Sequence, residues 1–261
     1  MSGSTAGLLA AWASAYLQEQ VSLDDVLDRV LGHKRSVVLQ AGAPADRAPW
    51  EEPGQTVELV PAGQVATLGE LLLGLRRLEV DRLHACFPIA GDAGGIGPGP
   101  ALAPAYDAGN AAIVPDIGLV IVPTGEDDAQ IELTVYPSRA TAQYVSVGEA
   151  AMELTEALHR STSILTDLDV ASWNPRLGRV SRKALDEVAA HELPAECPPR
   201  ATHLLVRAHQ IETLLATAAI DPGGGSVNSY EARARDAALA PLRRHVARAL
   251  TAAYNSLPYA T

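Results

Sequence analysis

The sequence predicts an α/β protein, a mixed central sheet flanked by helices and followed by a C-terminal helical hairpin. Three observations carry this expectation. Between Arg82 and Pro123 an apolar run ends in a Gly/Pro-rich loop, an Ala-rich helix follows, and a second apolar run closes the unit. That order reads strand, loop, helix, strand. The turn residues 125–128 separate that second run from another strand-like stretch, residues 131–136, so an antiparallel hairpin joins the sheet. From Gly148 onward apolar residues recur at helical spacing. The expected division is an α/β domain of residues 1–199 and a helical hairpin of residues 200–261, packed on it or extending from it.

Residues 5–19 read as a helix, because no Lys or Arg precedes Arg29 and the positive n-region of a signal peptide is missing. Ser22 with Asp25 opens a short helix that stops near Gly32. Residues 36–40 read as a strand, residues 41–55 as a loop around Trp50, and residues 56–60 as a second strand. Thr67 with Glu70 forms a capping box, and Leu68, Leu71, Leu72, Leu75 and Leu78 make the apolar stripe behind it. Residues 82–88 are expected to be a central strand with Asp92 on its carboxyl-end side. Ala151, Leu154, Leu158, Leu165 and Leu168 share a face of a long helix. A break at Trp173-Asn174-Pro175, a short helix over residues 181–190 and a Pro-rich linker at 193–199 follow. Leu204, Ala208, Ile211, Leu215 and Ala218 stripe the next helix. Asn228 with Glu231 opens the last one, which Pro241 should kink.

Composition narrows the class. Hydrophobic residues are 48% and aromatic ones 4% of 261 residues, so the core is built from Ala, Leu, Val and Ile. Such surface is still worth about 25 cal/mol per Å² buried. A net charge of −11 argues against nucleic acid. Residues 1–175 hold 9 basic and 23 acidic side chains, residues 176–261 hold 11 and 8. The net-basic tail is a solvated face or a surface for an acidic partner. Two cysteines, Cys86 and Cys197, make no disulfide framework, which points to the cytoplasm. The apolar run 111–123 is too short to span a membrane and carries Asp116.

The chemistry is sparse. Neither lysine lies in a phosphate-binding GxxxxGK[ST] context, and HExxH and GxSxG are missing. His203 and His209 are read as exposed helix residues, and Glu126, Asp127 and Asp128 as a solvated turn. The loop after residue 88 supplies the candidate ligand-binding residues Asp92, Gly94, Gly95 and Gly97, with Asn110 beyond the following helix. Glycine amides can cradle an anion; the same residues also simply build turns, and Asp92 caps turns readily. His84 and Asp92 are the candidate ligands for a hard divalent ion such as Mg or Ca. His84 reads equally as a hydrogen-bonded structural histidine.

Residues 68–109, LGELLLGLRRLEVDRLHACFPIAGDAGGIGPGPALAPAYDAG, resemble the signature of a family of uncharacterised proteins restricted to actinobacteria. LDVASWNP and PLRRHVARALTAAYN resemble further shared segments. The resemblance implies an α/β fold similar to that of nucleoside phosphorylases, with a C-terminal helical elbow, and implies no phosphorylase activity. The functional expectation is a non-catalytic, homo-oligomeric binding or regulatory protein, with a protein partner at the C-terminal helices. The alternative is a protein or enzyme that takes a nucleoside or phosphorylated ligand at the Asp92 loop.

Overall fold

The computed structural model describes residues 4–32, 34–42, 59–60, 63–127, 129–167, 192–220 and 229–259. They form two units. One holds the residues up to Tyr144, Leu193–Pro198 and the segment from Tyr254; the other holds Val145–Glu192 and Pro199–Ala253.

The first unit is built on a six-stranded mixed sheet among the described residues, as the sequence predicts. Its strands are β1 (Ser36–Ala41), β2 (Val65–Thr67), β3 (His84–Cys86), β4 (Ala111–Val114), β5 (Leu119–Glu126) and β6 (Gln130–Pro137), in the order β2-β1-β6-β5-β4-β3. Only β1 and β6 run parallel. β5 and β6 form the expected hairpin. Asp127 shapes its tip, its Oδ1 accepting the N–H groups of Ala129 and Gln130 at 2.7 Å each.

Helix α1 (Thr5–Leu17) is buried on every side. GLLAAWASAYL offers no polar face, and a helix apolar all round belongs inside. Helix α2 (Leu23–Leu31) opens on the Ser22–Asp25 capping box and stops at Gly32, whose φ is +56°. Helix α3 (Leu68–Arg77) opens on the Thr67–Glu70 box and buries Leu68, Leu71, Leu72 and Leu75. Leu78 falls just past its end and is exposed. Helix α4 (Leu102–Ala108) ends at Gly109 with φ +70°. The left-handed position is therefore glycine's, and Asn110 is buried beyond it.

Two sequence expectations are corrected. The apolar stretch 82–88 is not a central strand; only His84–Cys86 is strand, and it lies at the sheet's edge. The stretch is apolar because side chains cover it where a neighbouring strand would lie. Ser14 of α1 meets Leu83, Asn255 meets Ala85, and the Tyr254 ring stacks on Phe87 with centroids 5.8 Å apart. The second apolar run is likewise two strands. Pro115–Ile117 forms a 3-10 turn, closed by Gly118 at φ +64°, and reverses the chain between β4 and β5. Because β3 and β4 are antiparallel, the rule that places ligands at the carboxyl ends of parallel strands does not select the loop between them. The strand expected at residues 56–60 lies mostly outside the described residues, and the strand found beside β1 is Val65–Thr67.

The second unit contains α5 (Val147–Asp167), α6 (Pro199–Ile220) and α7 (Ser229–Tyr254), which carries Pro241 within it. On α5 the buried stripe is Ala150, Leu154, Ala157 and Ser161, with Ala151 and Leu158 only half-buried. The expected face was thus rotated by one residue about Leu154. Arg248 Nε on α7 donates to Glu153 Oε2 on α5 at 2.9 Å, and Arg207 on α6 donates to Thr155 at 3.0 Å. His209 is buried beside Glu212 at 3.0 Å, not exposed as expected. The Trp173-Asn174-Pro175 break, the helix at 181–190 and the link at 221–228 lie outside the described residues.

The edge strand yields a direct test. The Asn255 amide accepts from Ala85 N–H at 2.7 Å and donates to the Ala85 carbonyl at 2.9 Å. Asn255→Ala leaves both groups unmatched and is expected to lower stability by about 2 kcal/mol. Urea unfolding should show a lower midpoint at unchanged slope; an unchanged midpoint would mean the amide bridge contributes nothing.

Candidate functional site

The residue that opens the apolar stretch before β3 is a cation. Arg82 is 5% exposed, with its guanidinium carbon 3.9 Å from the centroid of the Tyr259 ring. Its Nε and Nη2 are closed to solvent and have no hydrogen-bond partner. Among the described residues no carboxylate pairs with it. A desolvated cation–π contact is worth about 2 kcal/mol. Desolvating an ion costs several kcal/mol, so the ring alone does not offset the burial.

The groups around Arg82 are tyrosine hydroxyls, an imidazole and a thiol, on which Asp81, Asp116 and Glu196 also act. Tyr259 and Tyr144 share a hydrogen bond between hydroxyls at 2.6 Å. That bond is the main cause holding the Tyr259 phenol above its ordinary value, with burial adding to it. The Tyr144 ring meets His84 edge-on, centroids 6.2 Å apart. Burial and then the Arg82 charge push the His84 imidazole below its ordinary value, against weaker pulls from Asp116 and Asp81. Burial raises the Cys197 thiol and the Glu196 charge adds to it, while a hydrogen bond with Ser256 and the Arg82 charge ease its ionisation. The buried Ser256 hydroxyl makes no hydrogen bond of standard geometry. The arrangement is one enclosed positive charge among tyrosine hydroxyls, an imidazole held below its ordinary value, a thiol and a serine hydroxyl.

The loop singled out by sequence is held together by its own bonds. Asp92 is exposed. Its backbone exchanges hydrogen bonds with Ile89 at 2.8 and 2.9 Å, and its Oδ1 accepts the Gly94 N–H at 2.9 Å. The Gly97 N–H donates to Arg139 at 2.7 Å, and the Gly95 carbonyl accepts from Thr141 at 2.9 Å. A Cβ on Gly95 would run into the Thr141 carbonyl, so glycine is required there for close approach. Two of the three glycine amides are thus already engaged within the protein. Asn110 Oδ1 accepts the Ala6 N–H at 3.0 Å, and its Nδ2 donates to the Ala108 carbonyl at 2.9 Å. It serves the first turn of α1, whose N-cap Ser4 makes no side-chain cap. His84 lies at β3 beside Tyr144, whereas Asp92 lies in the loop. No group of three or more His, Cys, Asp or Glu among the described residues could hold a metal ion.

Residues 6–159 match the Rv1486c-like protein N-terminal domain, and residues 148–251 match the Rv1486c-like protein C-terminal domain. The chain belongs to the Rv1486c-like protein family. No curated protein and no solved structure matches it. In this Rv1486c-like chain the N-terminal match takes in Arg82, His84 and Tyr144, while Asn255, Ser256 and Tyr259 follow the C-terminal match.

Sequence reasoning missed Arg82. Its available signal was a lone cation at the head of VDRLHACF, and no spacing ties it to Tyr259, 177 positions later.

His84 gives the site a pH signature. Its folded-state value lies below its ordinary 6.5, so between the two the unfolded chain binds a proton that the folded chain refuses. This component of stability is full above about pH 6.5 and is lost as pH falls through the folded value. In urea unfolding at about pH 7.5 and about pH 5, His84→Gln should lose less stability on acidification than the wild type. An equal loss in both would remove His84 as the cause.

Proposed function

We propose that this Rv1486c-like chain is a non-catalytic binding protein that self-associates through its helical unit. The carrying observation is a shallow groove on α5 and α6, lined by Ala151, Met152, Thr155, Glu156, His159 and Arg207. Met152 stands 70% exposed there, an apolar side chain that a second copy would remove from water. Alanine beside it lets another helix approach closely. Under two-fold symmetry the same patch meets itself, and Glu156 would face the partner's Arg207. The basic tail holds Arg207, so attraction to an acidic neighbour acts in the same direction.

The loop reading is supported less, because Gly94 and Gly97 N–H are already engaged. The buried free thiols of Cys86 and Cys197 support a cytoplasmic setting. The narrower family expectations, actinobacterial restriction and a nucleoside-phosphorylase-like sheet, belong to the same proposal; the mixed six-stranded sheet is what supports the second.

Light scattering after size exclusion tests self-association. At tens of micromolar, a concentration that about micromolar affinity would populate, the wild type should run as a dimer or larger. Met152→Glu should run as a folded monomer. A wild-type monomer at that concentration, or a variant that keeps its mass, contradicts the proposal.

A further inference from the structure

We propose that Arg82 receives the carboxylate of a small organic acid, taken by its Nε and Nη2 beside the Tyr259 ring. The assignment is independent of self-association. It rests on which atoms of the guanidinium are unspent. Nε–H and one Nη2 N–H lie parallel along a single edge of the group, and their spacing matches the two oxygens of a carboxylate. These are the two atoms that are buried without a hydrogen-bond partner. The Tyr259 ring lies over the guanidinium carbon, and the edge that carries Nε–H and Nη2–H is closed to solvent without a hydrogen-bond partner among the described residues. Among the described residues the cation is buried, has a ring over it and has no partner for its strongest donors.

The surroundings set the ligand's charge. Arg82 acts on both His84 and Cys197, so all three share one electrostatic neighbourhood. Asp81 and Asp116 act on His84 from the other sign. Glu196 acts on Cys197 in the same sense, so three carboxylates already act on this neighbourhood, and the anion that fits beside Arg82 is the one carrying least charge, a monoanion. A phosphate, carrying about −1.5 to −2 near neutrality, would bring charge that nothing there balances. The Ser256 hydroxyl, buried beside the Cys197 thiol, is a further polar group in this neighbourhood.

Access follows from the tyrosines. Tyr259 is 51% exposed and Tyr144 78% exposed, and their hydroxyls meet in one hydrogen bond. Because the edge is closed to solvent, binding of an acid there requires the half-exposed Tyr259 ring to move aside.

The test is a titration of the full chain with sodium benzoate and sodium acetate, against sodium phosphate and sodium chloride at matched ionic strength. Thermal unfolding and the NMR signal of the Arg82 Nε–H are followed. The carboxylates should raise Tm in a saturating manner and shift the Nε–H signal downfield, and chloride and phosphate should do neither. Arg82→Lys keeps the charge and loses the parallel donors, so its affinity should fall about tenfold or more. Arg82→Met should show no carboxylate response, and its ligand-free Tm should equal or exceed the wild type's, since a buried unpaired cation has been removed. If either variant fails to fold, the wild-type Nε–H signal decides alone. A signal unmoved by benzoate, a response retained in Arg82→Met, or phosphate binding as well as carboxylate overturns the assignment.

Discussion

An edge strand exposes backbone groups that no neighbouring strand satisfies, and β3 is such a strand. Its partner β4 uses only one side. On the other side Leu83 N–H donates to the Ser14 hydroxyl at 3.0 Å, and that hydroxyl's single proton faces the carbonyls of Ala10 at 2.6 Å and Leu83 at 3.1 Å. Two residues on, the Asn255 amide takes both backbone groups of Ala85. The spacing of two is the strand's own period, since alternate residues turn their backbone outward. Two side chains from opposite ends of the sequence thus stand where a seventh strand would pair.

Much of the first unit follows from this clamp. Ser14 fixes α1 against β3, and Asn110 anchors the first turn of the same helix through Ala6. Gly7 is glycine because a Cβ there would lie 2.6 Å from the Tyr254 ring. That ring in turn stacks on Phe87. Once Asn255 is bound, the four residues that follow carry Tyr259 to Arg82. The candidate site follows in part from how the edge is closed: Arg82 and His84 flank the clamped Leu83, and Ser256 and Tyr259 follow the clamping Asn255.

The local elements were legible in the sequence because their causes are local. Ser22–Asp25 and Thr67–Glu70 each contain both halves of a capping box, and Gly125 to Asp127 contain a turn that closes on its own carboxylate. The edge position of β3 was not legible, because an apolar run reports burial without saying what does the burying. The split of residues 111–123 was partly legible: Pro115, Asp116 and Gly118 are turn residues that the apolar run concealed. The loop glycines were legible as special, but their reason is contact with residues 139–141, which spacing does not reveal. Arg82 was illegible as a site residue because its ring partner is remote in sequence, and a cation reads as surface unless its burial is known.

Hydrogen exchange at single amides tests the clamp most directly. Leu83 and Ala85 point away from β4, and on an unprotected edge their N–H groups would exchange as fast as those of a loop. If Ser14 and Asn255 hold them, both amides exchange with the protection of the buried strand residues Ile113 and Val120. Rapid exchange at Leu83 and Ala85, with protection kept at Ile113 and Val120, would contradict the account.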